Sequence, residues 1–319
     1  MSLRALSHAD IAACATLPDL IPVIAAAMRQ VSERRVAMPL RFVVPLAPGA
    51  GFGVMTGAMP GIGHGAKLLS LMPRDKGSSH TGALILFDAE TGEPAAIMDA
   101  GLATAMRTAS ASAVATDALA RPDAATLAIL GTGEQAAWHI AAMRAVRPIR
   151  QVRIWGRSHD KAATLAARHD RARAVATLDE ACAGADIICI ATDAATPLLH
   201  AVHLPDGVHV NAIGASLPSM QEVASDCYGV CYAVVDYRPS ADAQAADLIA
   251  ARAAGIVAKD AMLPEIGEVL AGTAPGRTSA AQRTLYRSLG IVAQDLATAN
   301  FLLRRARERG RGTILDLYG

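Results

Sequence analysis

Aromatic side chains are scarce in this chain: Phe, Trp and Tyr make up 3% of its 319 residues. A core without large rings must be built from aliphatic and small side chains, and the 52% hydrophobic share supplies them. That composition suits close packing of helices on a sheet. Cysteine is sparse as well. The five thiols are Cys14, Cys182, Cys189, Cys227 and Cys231, an odd count with no C-x-x-C pair. That pattern suggests neither a disulfide framework nor a zinc site, since no His or second Cys pair lies near Cys227 and Cys231 to complete a set of four ligands. The reading is of reduced, mostly buried thiols in a cytoplasmic protein. An excess of one charge is absent too: 30 basic residues face 29 acidic ones. Nothing global then draws the chain to nucleic acid or to an anionic membrane, and any anion site must be local. No uncharged apolar run approaches the ~18 residues that span a bilayer, and the N-terminus lacks a signal-peptide layout. A soluble protein is expected, with neither membrane nor nucleic acid as partner.

The chain is long enough for two domains. Residues 6–35 read as helical, with Ser7 and Asp10 as caps and an apolar face through Leu20, Ile24, Ala27 and Val31. From 38 to 98, short apolar stretches (Leu40–Leu46, Ala66–Leu71, Ala83–Phe87) alternate with Gly/Pro clusters, the pattern of strands and turns. Pro39 and Pro45 flank one strand and place it at a sheet edge. The segment Gly49–Gly65 reads as loop and hairpin, and Glu90-Thr91-Gly92-Glu93 as a hairpin turn. A small-residue helix over 99–119 ends before Arg121-Pro122-Asp123, which marks the expected domain junction. Beyond it, the apolar runs Thr126–Leu130, Gln151–Trp155, Ile187–Ala191, Val208–Ile213 and Tyr232–Val235 alternate with helical stretches. Alternation of this kind predicts a parallel sheet with crossover helices. A last helix covers about 288–309 and carries a basic tail, Arg304, Arg305, Arg307, Arg309 and Arg311, on its wet face.

One motif carries cofactor chemistry. Leu127–Leu130 is a strand that runs into Gly131-Thr132-Gly133-Glu134-Gln135-Ala136, a G-x-G-x-x-A turn opening a helix. Gly131 permits the tight turn, Gly133 lets the backbone approach a pyrophosphate, and Ala136 lets the helix pack close. Glu134 and Gln135 lie in the first turn facing the anion. At the end of the second strand an NAD site normally carries an acid for the ribose hydroxyls. Here the strand ends Ile154-Trp155-Gly156-Arg157-Ser158. Arg157, Ser158 and Lys161 can hold a 2′-phosphate through charge-assisted contacts, which favours NADP (NADPH) over NAD. The alternative for Arg157 is a solvated loop residue.

Arg41 in Met38-Pro39-Leu40-Arg41, Lys67 in Gly65-Ala66-Lys67-Leu68, Arg107-Thr108-Ala109, Asn211–Ser216 and Ser288-Leu289-Gly290-Ile291 occur in the order and spacing of a known family. On these motifs the chain resembles the ornithine cyclodeaminase/mu-crystallin family over nearly its whole length. The resemblance implies an α/β protein: a Rossmann-type parallel-sheet domain over 120–289, and a smaller α+β domain, 1–119 with about 290–319, for substrate binding and dimerisation. It implies a homodimer. Lys67 matches the catalytic lysine, and Arg41 and Arg107 match the substrate-site arginines, suited to clamp a carboxylate. Thr108 matches a cofactor-phosphate contact, Ser79-His80 resembles a mu-crystallin segment beside the cofactor, and Glu265 matches an acid lining the ligand pocket. Thr192 and Ser288 complete the candidate cofactor set. The bland readings stay open: the arginines as structural ion-pair partners, and His80 as a turn histidine.

The sequence departs from true cyclodeaminases at Ser216, where they place an aspartate, and in this it is closer to the mu-crystallin type. The expected activity is NADPH-dependent reduction of a carboxylate-bearing, cyclic ketimine, with Lys67 protonating the imine nitrogen. The alternatives are an ornithine cyclodeaminase, an alanine-type dehydrogenase and a non-enzymatic NADPH-binding protein.

Overall fold

A computed structural model describes residues 2–48, 50–72 and 80–317. The chain divides into two compact units, Met1–Arg107 with Ile291–Gly319, and Thr108–Gly290.

In the first unit, strand β1 (Ser2–Leu6) is followed by α1 (His8–Cys14). Ser7 caps that helix, and the Asp10 carboxylate closes the capping box from its third position. A second cap, Thr16 with Asp19, and Pro18 in the first turn start α2 (Leu17–Ser32). The single helix expected over 6–35 is therefore two, because a capped start with Pro18 cannot continue the helix before it. Leu20, Ile24, Ala27 and Val31 are buried, as the periodicity requires. Then come β2 (Phe42–Ala47), β3 (Ala50–Met59), β4 (Gly63–Leu71), β5 (His80–Phe87) and β6 (Pro94–Asp99). They form an antiparallel meander, and β6 pairs with β1 in parallel. Pro45 sits in β2, which is an edge strand, where a missing N–H costs no ladder bond.

Helix α3 (Ala100–Leu119) follows. The expected junction at Arg121-Pro122 is the end of this helix, whereas the division between units falls inside it. An unbroken small-residue helix gives no change of composition at that point.

The second unit is a doubly wound sheet. In chain order it contains β7 (Thr126–Leu130), α4 (Glu134–Val146), β8 (Gln151–Trp155), α5 (His159–Ala166), β9 (Ala172–Ala174), α6 (Leu178–Cys182) and β10 (Ile187–Ile190). It continues with β11 (His209–Ala212), α7 (Cys227–Val230), β12 (Cys231–Val235), α8 (Arg238–Gln244), α9 (Ala246–Ala253), α10 (Ile266–Ala271) and β13 (Arg283–Arg287). The strand order is β12-β13-β11-β10-β7-β8-β9, all pairs parallel. From β7 the chain moves outward through β8 and β9, then returns to lay β10 against the other side of β7. That reversal is the switch point, where open α/β sheets bind ligands at their carboxyl ends.

The first unit is completed by α11 (Val292–Glu308) and β14 (Thr313–Asp316), which pairs with β1. Helix α11 lies across β3 to β6 and against α2. Its first two turns are buried on every side, Gln294 and Asp295 included. Two polar side chains inside an apolar layer need partners there.

Candidate active site and cofactor cradle

Lys67 stands in the middle of β4, opposite Met55 of β3 and Leu84 of β5. Both neighbours are interior strands and α11 covers the face, so the ammonium is 1% exposed. Its partner is Asp295: Nζ lies 2.9 Å from Oδ1 and 2.8 Å from Oδ2. Arg107 joins the same carboxylate through Nε at 3.0 Å and donates from Nη1 to Gln294 Oε1 at 2.8 Å. A lysine, an arginine and a carboxylate thus share one buried cluster, with Arg41 acting on the lysine through its charge. Burial is the largest effect on Lys67 and, with the positive charges of Arg107 and Arg41, outweighs Asp295, bringing the ammonium down to about 7. A group with that value can both give and take a proton at neutral pH.

Arg107 is more committed than a free clamp. With Nε and one Nη1 hydrogen engaged, Nη2 and the second hydrogen of Nη1 meet no acceptor among the described residues and can serve a ligand. Asp295 and Gln294 escaped the sequence reading. The available signal was an acid inside Leu289–Phe301, a run with no other charge. Glu265 is a further candidate acid. It belongs to the second unit, is fully buried and starts α10, with Oε1 accepting the Arg238 backbone N–H at 2.9 Å.

Residues that can hold a dinucleotide gather at the carboxyl ends of the central strands. Gly131 has φ +126°, and a Cβ there would lie 2.3 Å from the Ala191 carbonyl oxygen, so no other residue fits. Gly133 precedes α4 with open space where a Cβ would stand, and no side chain caps that helix. Its first-turn N–H groups are the anion-binding kind. Gln135 Oε1 is buried with no hydrogen-bond partner among the described residues, and Glu134 beside it is exposed. An open cradle, an uncapped helix and an orphaned polar atom fit a bound dinucleotide.

At the second strand, Ser158 caps α5 and Lys161 lies exposed one turn in. Arg157 is 81% exposed and pairs with Asp193 at 2.9 Å. β8 itself ends without an acid, but the fold brings this carboxylate over from the loop after β10. Thr108 is buried on α3. Thr192 gives both its N–H and its hydroxyl to Glu222. Ser288 donates to Asp236 at 3.1 Å. Ser79 and the His80 side chain lie outside the described residues. No group of three His, Cys, Asp or Glu placed to hold a metal occurs among the described residues.

The Ornithine cyclodeaminase/mu-crystallin family model matches residues 4–310. The chain belongs to this family. A Delta(1)-pyrroline-2-carboxylate reductase of Bacillus cereus is 33% identical over 312 residues, 93% of this chain and 95% of that one. Ketimine reductase mu-crystallin of Mus musculus is 32% identical over 89% of this chain and 90% of that one. The solved structure of Thermococcus litoralis Delta(1)-pyrroline-2-carboxylate reductase in complex with NADH and L-proline superimposes with a TM-score of 0.93. It is 26% identical, and the match covers 98% of this chain and 99% of that one. Within the family, Ser216 follows β11 and is partly exposed.

Proposed function

We propose that this chain is an NADPH-dependent reductase of a small cyclic ketimine carrying a carboxylate, of the pyrroline-2-carboxylate class. The observation that carries the reading is the buried Lys67 ammonium, held by Asp295 and brought to about 7. An imine carbon becomes strongly electrophilic only when its nitrogen is protonated, so a proton donor active at neutral pH is the group this reaction needs. When bound, the reduced nicotinamide supplies the hydride. Lys67 gives its proton to the imine nitrogen, and Asp295 holds the ammonium in place. Arg41 and Arg107 supply the positive charge for the substrate carboxylate. The same roles read backward serve oxidation of the cyclic amino acid.

Arg157, Ser158 and Lys161 support the preference for NADPH. The Arg157–Asp193 pair is exposed at both ends, and such pairs are worth at most ~1 kcal/mol. A 2′-phosphate displaces Asp193 at little cost.

We also infer a homodimer. Phe42 and Val44 of β2, paired with Val54 and Phe52 of β3, share one face of the sheet edge. Phe42 is 55% exposed and Leu46 58%. An apolar stripe on an edge strand calls for a cover, and a second copy of the same stripe is self-complementary under a two-fold axis.

The test is consumption of NADPH, and of NADH in parallel, with pyrroline-2-carboxylate, piperideine-2-carboxylate and ornithine. Turnover of the ketimines with NADPH favoured supports the reading. Ammonia release from ornithine with no net cofactor change would contradict it.

A further inference from the structure

Glu222 lies outside every motif named above, yet its carboxyl is 1% exposed and accepts four hydrogen bonds. Oε1 takes the Thr192 N–H at 2.5 Å and the Thr192 hydroxyl at 3.0 Å. Oε2 takes the N–H groups of Gly214 at 2.6 Å and Ala215 at 2.8 Å. Thr192 follows β10, and Gly214 and Ala215 follow β11. These strands are neighbours in the sheet, in register from Ile187↔His209 to Ile190↔Ala212. One side chain therefore ties together the two loops beside the switch point. The Gly131 turn closes on the first of them, at Ala191.

The tie leaves no slack. Glu222 is itself anchored by its backbone carbonyl, which accepts Leu198 and Leu199 N–H groups at 2.9 and 3.0 Å. A Cβ on Gly214 would stand 2.2 Å from the Thr192 carbonyl oxygen and 2.4 Å from Glu222 Oε1, so the loops meet only through a glycine. On the far side of Ala215, Arg287 donates from Nη2 to its carbonyl at 2.6 Å and is held by Asp247 at 2.8 Å. All three backbone donors need an acceptor, because an unmet buried N–H is costly. Only a carboxylate satisfies them all. An amide would set its own N–H groups against some of them.

We propose that Glu222 is a positioning residue for the nicotinamide cofactor: its carboxylate fixes the loops after β10 and β11 and so pre-forms the crevice that receives the dinucleotide. This rests on the cofactor reading, which the experiment tests separately. A crevice formed before binding saves the ligand the entropy of ordering it. Losing the Glu222 charge, by substitution or by protonation, loosens Thr192, Gly214 and Ala215 together. Burial lifts the Glu222 carboxyl to about 7 against its hydrogen bonds and the Arg287 charge, so protonation belongs to the working pH range. The charged and titratable groups on this side are Arg287 from β13, Asp247 from α9 and Tyr228 from α7.

The experiment is titration of the full-length protein with NADPH and NADH, read by tryptophan fluorescence, for wild type, Glu222→Gln and Glu222→Asp. Initial rates and unfolding of the apoprotein accompany it. Glu222→Gln is expected to raise the Kd and KM of the cofactor at least about tenfold, while the KM for the imine stays within about twofold. Glu222→Asp is expected to fall between the two. A cofactor Kd unchanged in Glu222→Gln overturns the proposal, as does an equal rise in both KM values. If wild type binds neither nucleotide, the cofactor reading itself fails. Should Glu222→Gln not fold, the NADH Kd of wild type between about pH 8.5 and 6 decides. NADH carries no 2′-phosphate to titrate, and Lys67→Met, run alongside, removes the other group brought to about 7. Weakening with acid in both proteins supports the proposal, and a flat profile overturns it.

Discussion

At the scale of single residues, the proposed chemistry rests on Lys67 and its partner Asp295. As a general acid Lys67 must be protonated, so ketimine reduction is expected to fall as pH rises through about 7. Oxidation of the amine should rise over the same range, because it needs the neutral lysine. Opposite limbs with one midpoint check both the residue and the sign. Asp295 raises the Lys67 value. Asp295→Asn should then shift the reductive limb to lower pH, and the pH–rate profile of the folded variant reads that shift. It should also destabilise the protein by ~3–5 kcal/mol, since two buried cations lose their counter-charge. Urea unfolding measures that loss. Lys67, Arg41 and Arg107 are singled out in the sequence only through a family resemblance, which local composition does not supply. Asp295 was not named, because the partner of a buried lysine lies 228 residues away and no local pattern links the two.

At the scale of elements, β7, β8 and the turn into α4 were readable, since a buried apolar strand, glycines and a small-residue helix all point the same way. Strand β13 was missed. Its sequence, Arg283-Thr284-Leu285-Tyr286-Arg287, has charged ends, which look exposed until the fold pairs Arg287 with Asp247. The short strands β9 and β14 lack periodicity for the same reason that they sit at sheet edges. Two substitutions test the elements. Gly131→Ala places a Cβ on the Ala191 carbonyl and demands a positive φ. It should abolish cofactor binding by fluorescence titration, whereas Thr132, at the next position, tolerates Ser. Arg157→Asp should lower kcat/KM for NADPH by about tenfold or more and leave NADH little changed. An equal loss with both cofactors would make Arg157 a structural residue.

At the scale of the whole molecule, the chain interleaves two units, and its interior carries titrating groups that couple stability to pH. Burial lowers His139 to about 4 and His209 to about 3. Both folded values lie below the unfolded 6.5, so their stability is complete above pH 6.5 and is lost as pH falls from there. Glu222 opposes one of them, because its folded value is raised. The net loss is then about 1.4 kcal/mol per pH unit between roughly pH 6.5 and 5, and denaturant midpoints at the two ends measure it. The exposed stripe on β2 predicts that Val44→Lys yields a monomer by sedimentation, with the apoprotein still folded. The most direct measurement compares cofactor oxidation by wild type and Lys67→Met with pyrroline-2-carboxylate and NADPH, alongside the NADPH Kd of each. Turnover should drop by about a thousandfold or more with the Kd nearly unchanged. A Lys67→Met variant that keeps its turnover, or loses binding in equal measure, would contradict the role of Lys67 as the proton donor.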